Sequence, residues 1–255
     1  MANVVGRALV RYLTQRVATP LPATSTQQEL AAALQPGDVL LVEGDTRISV
    51  AIKYLTQSTW SHAALYVGPR ADLPPHADAP NVLVEADLNH GVRALPLAFY
   101  EGFHTRICRP VGLRAEDREA VLRYAIARLG HRYDLKNVFD LARYLIRTPP
   151  VPSRLRRRLL ALGSGDPTRA ICSTLIAQAF QAVRYPILPR IERHRYADCA
   201  DCVREQYWIR HHSLFVPRDF DVSPYFRIVK PTVEGGFDYR LIAWADQPFP
   251  LETPT

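Results

Sequence analysis

The sequence predicts an α+β fold, and three observations predict it. Compact apolar runs bounded by turn residues crowd the first half of the chain. Amphipathic helical segments fill the middle, and two short apolar runs lie in the tail. The runs are grouped and do not alternate one by one with helices, so the order is not that of a βαβ sheet. At 255 residues, 47% of them hydrophobic, the chain can bury one sizeable core, which excludes general disorder.

The elements follow in order. Residues 18–28, rich in Pro, Thr and Ala, read as a linker, and Gln28 to Leu34 as a short helix stopped by Pro36-Gly37. Asp38 to Glu43 is a compact apolar run, hence a buried strand. Ile48 to Leu55 reads as a helical turn. Ser61 to Gly68 and Asn81 to Ala86 are the next strands, separated by a Pro-rich loop over 69–80. Gly91-Val92 turns the chain into residues 93–100, and Thr105 to Val111 is a further strand. Ala115 to Leu129 is an amphipathic helix, with Glu116, Asp117 and Glu119 near its positive end and Gly130 after its last turn. Leu135 to Ile146 reads as a second helix, stopped by Pro149-Pro150-Val151-Pro152. Leu175, Ile176, Ala179 and Phe180 form an apolar stripe on a helix running from Ser173. Residues 185–205 read as irregular, and Phe226 to Val229 and Tyr239 to Trp244 as late strands. The expected organisation is an N-terminal helix and linker over 1–35, a domain over 36–246 with an insertion at 147–169, and a tail over 247–255.

The formal net charge is +7 and the pI about 9.4. All basic residues except Lys53, Lys136 and Lys230 are arginine. No zinc finger, aromatic RNA-binding signature or long Lys/Arg array accompanies this charge, so nucleic acid is not an expected partner. Anionic lipid and an acidic substrate are the partners the charge allows. Arg154, Arg156, Arg157 and Arg158 lie beside four leucines, and Val5, Leu9, Tyr12, Leu13 and Val17 lie opposite Arg7, Arg11 and Arg16. Those three arginines interrupt every apolar run of the N-terminus, so no secretory core is expected there. The four cysteines are too few for a disulfide framework. A reducing, cytoplasmic setting is expected, with peripheral contact to the inner face of the membrane.

The candidate chemistry begins at Cys172, at the mouth of the apolar helix. First-turn N–H groups and the positive end of the helix dipole favour a thiolate there. Alone, Cys172 would read as a small buried apolar residue. A nucleophile needs a base, and the base needs an orienting group. His62 begins one strand and Glu85 lies on the next. Paired as a hairpin, the two stand opposite on one face, with one ring nitrogen on the carboxylate and the other toward the thiol. Cys199-Ala200-Asp201-Cys202, near His194, His211 and His212, has metal-like spacing but lacks a second Cys pair, so neither metal nor cofactor is expected. Cys108 reads as core. Asp219 is a distant alternative for the orienting carboxylate.

Pro36 to Leu41, Trp60 to Gly68, Val84-Glu85-Ala86, Gly91-Val92 and Cys172 to Ile176 together resemble the YiiX/YebB-like cysteine hydrolases. These form the circularly permuted, papain-like branch of the NlpC-type superfamily, and the resemblance spans roughly residues 36–185. It implies a small antiparallel sheet or barrel packed against helices, one of which bears the nucleophile. It also implies Cys172 as nucleophile, His62 as general base and Glu85 as the residue orienting His62. Tyr133 resembles a recurring Tyr-Asp element that supports substrate or fold, and Trp60 and Ser61 are candidate substrate contacts beside His62. The implied activity is thiol hydrolysis of an amide, peptide or isopeptide-like, through an acyl-thioester. The alternatives are a lipid acyl hydrolase or acyltransferase at a membrane surface, and a non-catalytic basic lipid-binding module.

Overall fold

The computed structural model describes residues 11–17, 21–87, 89–131, 171–196, 199–241 and 243. The strands are β1 (Val39–Val42), β2 (His62–Tyr66), β3 (Asn81–Asp87), β4 (Gly91–Pro96), β5 (Thr105–Pro110), β6 (Arg190–Tyr196), β7 (Cys199–Trp208) and β8 (Phe226–Val229). Six of them form one antiparallel sheet in the order β4-β3-β2-β1-β5-β8, while β6 and β7 pair only with each other. The helices that matter for the site are α1 (Gln27–Ala33), α2 (Arg47–Thr56), α3 (Ala115–Ile126) and α4 (Ile171–Ala182). The fold is α+β, as the grouping of apolar runs predicts.

The apolar run of β1 explains its central position, because it is buried on both faces. Val39 and Leu41 face a core shared with Leu65, Val84, Val121 of α3 and Leu175, Ile176 and Phe180 of α4. Leu40 and Val42 face the other way, onto Leu30 of α1, Leu34 just after it, Leu83, Ile107 and Tyr100. Each such Leu, Ile or Phe contributes about 1.5–3 kcal/mol on leaving water. The stripe expected on α4 is the stripe that is buried: Leu175, Ile176, Ala179 and Phe180 are all fully covered. Phe180 packs edge-on against Phe226 at 5.3 Å between ring centres, which ties α4 to the far edge of the sheet.

Polar clamps close the ends. Thr26 accepts from Glu29 N–H at 3.2 Å while the Glu29 carboxylate takes Thr26 N–H at 2.7 Å, a capping box at the start of α1. The Arg109 guanidinium grips the buried Asp38 carboxylate at 2.9 and 2.7 Å and reaches the Ala33 carbonyl, joining β5, the approach to β1 and the end of α1. α1, α2, β1, β2, β3, β5 and β8 fall where the sequence places them, while β4 occupies Gly91–Pro96, where the sequence predicts only a turn into residues 93–100.

Three expectations are corrected. Residues 185–205, read as irregular, contain most of the β6–β7 hairpin. Its strands are joined by a regular antiparallel ladder that carries exposed cross-strand pairs such as Arg193–Glu205, at 2.9 Å, and a hydrophobic-period reading does not register a segment this polar. Tyr239–Trp244, read as a strand, begins instead with a short 3-10 turn over Tyr239–Leu241. Tyr239 and Leu241 are exposed and take no place in the sheet, so an apolar run without a partner face forms no strand. The helix expected to reach Leu129 ends at Ile126, and residues 127–130 turn into Gly130, whose φ of 81° favours glycine. The expected helix Leu135 to Ile146, the 147–169 insertion, the arginines from 154 to 158 and Tyr133 lie outside the described residues, as do residues 1–10 and the 247–255 tail.

Candidate active site

His62 is set by the residues just before it. The Trp60 indole N–H donates to Asp221 at 3.1 Å, and the ring stacks on His104 at 5.1 Å with the Arg106 guanidinium 4.9 Å from its centre. Arg106 also pairs with Asp221, at 2.6 Å. Ser61 accepts a hydrogen bond from Gly44 N–H at 2.9 Å, and its own N–H donates to the Val42 carbonyl at 3.2 Å. Trp60 and Ser61 are each 2% exposed. Sequence reasoning offered both as substrate contacts. Their side chains are instead buried and spent on protein partners, which makes them anchors of the His62 strand.

Gly44 shows how tight this anchor is. A Cβ there would collide with Ser49 Oγ and stand 2.9 Å from Ser61 Oγ. Gly44→Ala is therefore expected to cost about 1–3 kcal/mol of stability through overpacking. It should also slow alkylation of Cys172, because Ser61 must move and His62 follows it. Denaturant unfolding and iodoacetamide labelling of the same variant check the two effects.

Cys172 lies in the first turn of α4, 4% exposed. α4 packs over β2 and β3 where their ladder is short. The register runs through Leu65↔Val84 and Tyr66↔Leu83 and stops before His62. The sulfur sits at this opening. Its charge is favoured by the nearby His62 ring and Ala63 N–H, and Ser173 Oγ lies 3.9 Å from it.

On its other side the His62 ring meets Glu85. His62 Nε2 and Glu85 Oε2 are 2.6 Å apart, so Nδ1 is the ring nitrogen the carboxylate does not engage. The expected opposite pairing is refined by the register. Continued from Leu65↔Val84, it sets Glu85 across from Ala64, so His62 reaches it diagonally on the same face. Glu85 is 1% exposed, unlike an ordinary carboxylate at a strand end. Its Oε1 receives Arg93 Nε at 2.9 Å and Nη2 at 2.8 Å, and its Oε2 also receives the Tyr100 hydroxyl.

Charge follows from these contacts. Burial works against the Glu85 carboxylate, but His62, Arg93 and Tyr100 outweigh it and hold its pKa down to about 2. Burial also opposes a charged His62, yet Glu85 and the sulfur beside it raise the imidazole well above its usual range. Burial alone would raise the Cys172 thiol. His62, Ala63 N–H and Ser173 lower it instead. Cys108 shows the contrast. Also buried but without a cationic neighbour close enough to compensate, its thiol is pushed far up. The site thus favours a thiolate–imidazolium pair backed by a carboxylate.

The contacts run in series, sulfur to ring to carboxylate. Both Glu85 oxygens are taken by protein donors, so the three groups do not converge on a common centre for a metal. Among the described residues no group of three or more His, Cys, Asp and Glu side chains is placed to hold a metal ion. The side chains of His194, Cys199 and Cys202 lie outside the described residues. Asp219, the alternative carboxylate, accepts Val216 N–H at 3.0 Å in a short helix over Pro217–Asp221 and lies 3.6 Å from Arg210.

Residues 33–144 match the family model described as permuted papain-like amidase enzyme, YaeF/YiiX, C92 family. The chain is similar to that family. The matched YaeF/YiiX stretch holds His62, Glu85, Arg93 and Tyr100 and ends before Cys172. Among solved structures, the crystal structure of the metalloprotein YiiX from Escherichia coli O157:H7 is similar at 16% identity and a TM-score of 0.44. The similarity covers 78% of this chain and 97% of that one. No curated protein matches this chain. Among the described residues no helix is long and apolar enough to cross a membrane.

Sequence reasoning missed Arg93 and Tyr100. Arg93 was within reach, since it stands directly across from Glu85 in the β3–β4 hairpin and could be counted from the turn before Gly91. Tyr100 arrives at the end of a 3-10 turn over Leu97–Tyr100, and no spacing rule announces it.

Proposed function

We propose that this protein is a thiol amidase in which Cys172 is the nucleophile, His62 the general acid and base, and Glu85 the group that orients His62. The observation that carries this reading is the His62 imidazole held at 2.6 Å by a buried carboxylate, with the sulfur of a cysteine in the first turn of a helix near enough for each to act on the other's charge. The similarity to a family described as amidases supports it.

The Cys172 thiolate attacks the carbonyl carbon of an amide. A sulfur–carbon bond forms, and the carbonyl π pair moves onto oxygen. Backbone N–H groups in the first turn of α4 have no partner within the helix and point toward its mouth, where this oxyanion develops. The oxyanion collapses, the carbon–nitrogen bond breaks, and His62 gives its proton to the departing amine. The acyl group is left as a thioester on Cys172. Neutral His62 then draws a proton from water as the water attacks the thioester. The acid is released, the proton stays on the imidazole, and the thiolate–imidazolium pair is restored. Glu85 remains ionised throughout, its pKa lying far below that of the groups that exchange protons.

The test is direct. The full chain is exposed to an activated acyl ester, and the acyl mass is sought by peptide mapping. A thioester on Cys172 that forms rapidly and is lost to hydroxylamine supports the reading. Acylation elsewhere with Cys172 untouched removes it.

A further inference from the structure

Glu85 is saturated. A carboxylate offers about four lone-pair sites, and here each oxygen receives two donors: Arg93 twice on Oε1, and His62 with Tyr100 on Oε2. Orienting one imidazole needs only one of these bonds, and the other donors are built in. Tyr100 is 6% exposed and packs edge-on against Phe99 and Phe103 at 5.2 and 5.8 Å, which fixes its hydroxyl. Arg93 is fixed in turn by Asp87 at 2.9 Å, by His90 at 3.1 Å and by the Phe99 ring at 4.8 Å. The groups facing the carboxylate are therefore His62 from β2, Arg93 from β4 and Tyr100 from the 3-10 turn, with Cys172 behind His62.

A bare buried carboxylate would hold the imidazole strongly but would also hold its proton. Catalysis needs that proton released to the leaving amine, and a general acid works best when its pKa lies near the working pH. We propose that Tyr100 and Arg93 are positioning residues that act through Glu85. They lock the carboxylate in one orientation and draw charge off it, so that it aims His62 Nδ1 at Cys172 without trapping the proton His62 must give up. Burial and the adjacent Glu85 keep the Tyr100 phenol protonated, so it serves as a donor. This inference rests on the amidase reading above.

The sign of the effect follows from the bonding. Removing a donor or a cation from the carboxylate concentrates charge on Oε2 and makes Glu85 a stronger base. His62 should then keep its proton to higher pH. The experiment is an NMR titration of the His62 ring in the full chain, assigned with His62→Ala, for wild type, Tyr100→Phe, Arg93→Gln and Arg93→Lys. Thermal unfolding is recorded alongside. The wild-type ring is expected to titrate above the ordinary range. Tyr100→Phe should raise it by a further half to one pH unit, about the weight of part of one charge-assisted hydrogen bond. Arg93→Gln should raise it as well, and Arg93→Lys should return it toward wild type. An unmoved or lowered titration in Tyr100→Phe and Arg93→Gln, with the wild-type value still high, overturns the inference and leaves the amidase reading intact. A lower unfolding temperature with an unmoved titration has the same meaning. An ordinary wild-type titration overturns both.

Discussion

Replacing His62 by alanine is expected to slow acylation of Cys172 about 10²–10⁴-fold, the usual weight of a positioned acid–base group. Two effects add in this variant. The sulfur loses the neighbour that most favours its ionised form, so burial dominates and the thiol pKa rises. The departing amine also loses its proton source. The fold should survive, because the His62 side chain is 22% exposed and its strand is anchored independently through Trp60, Ser61 and β1. Rates with an activated ester separate the two losses. Such a leaving group needs no proton, so what remains of the defect reports the thiolate alone. An acylation rate within a few-fold of wild type on both ester and amide would contradict the assignment of His62.

Replacing Glu85 by alanine carries the largest expected loss of stability, about 3 kcal/mol by denaturant unfolding. Removing one member of a buried charged cluster leaves its partners uncompensated, and such losses run to about 3–5 kcal/mol. The lower end applies here, because Arg93 and His62 keep 24% and 22% of their side chains in water and can be resolvated. Tyr100 fares worse, since its fully enclosed hydroxyl loses its acceptor. The pH dependence has a definite sign. Glu85 is depressed in the folded state from its ordinary 4.5 to about 2, so its contribution is fully present above about 4.5. That contribution is lost progressively as the pH falls toward 2. Wild type and Glu85→Ala should therefore converge in stability on the acid side and differ most near neutrality. A constant gap across that window would show that the carboxylate's charge is not what holds this corner.

The residues of the candidate site differ in how far the sequence disclosed them. Cys172 was legible because an apolar stripe fixes the helix and the cysteine falls at its mouth. His62 and Glu85 were legible because two consecutive strands paired as a hairpin put them on one face, although the diagonal offset depended on a register that only the fold supplies. Trp60 and Ser61 were seen but misjudged. Proximity in sequence suggested contact with substrate, whereas the indole and hydroxyl find partners on Asp221 and Gly44, far along the chain. Tyr100 was illegible because a 3-10 turn has no period by which to aim a side chain. The same limit explains the β6–β7 hairpin, where charge pairing across strands replaces the apolar pattern. It explains Tyr239–Leu241 as well, where an apolar run has no face to cover. The central sheet was the easy part, because an uninterrupted apolar run such as that of β1 is stable only when covered on both sides.

The central claim is that Cys172 is ionised at neutral pH because an imidazolium lies beside it. The most direct measurement is the ultraviolet absorbance of thiolate as a function of pH, taken as the difference between wild type and Cys172→Ala. Cys108 does not intrude, since burial pushes its thiol far up in both proteins. The account predicts that the Cys172 signal is present at neutrality and disappears only on the acid side, below the ordinary thiol value of about 8.5. A signal that emerges only at or above that value would contradict it.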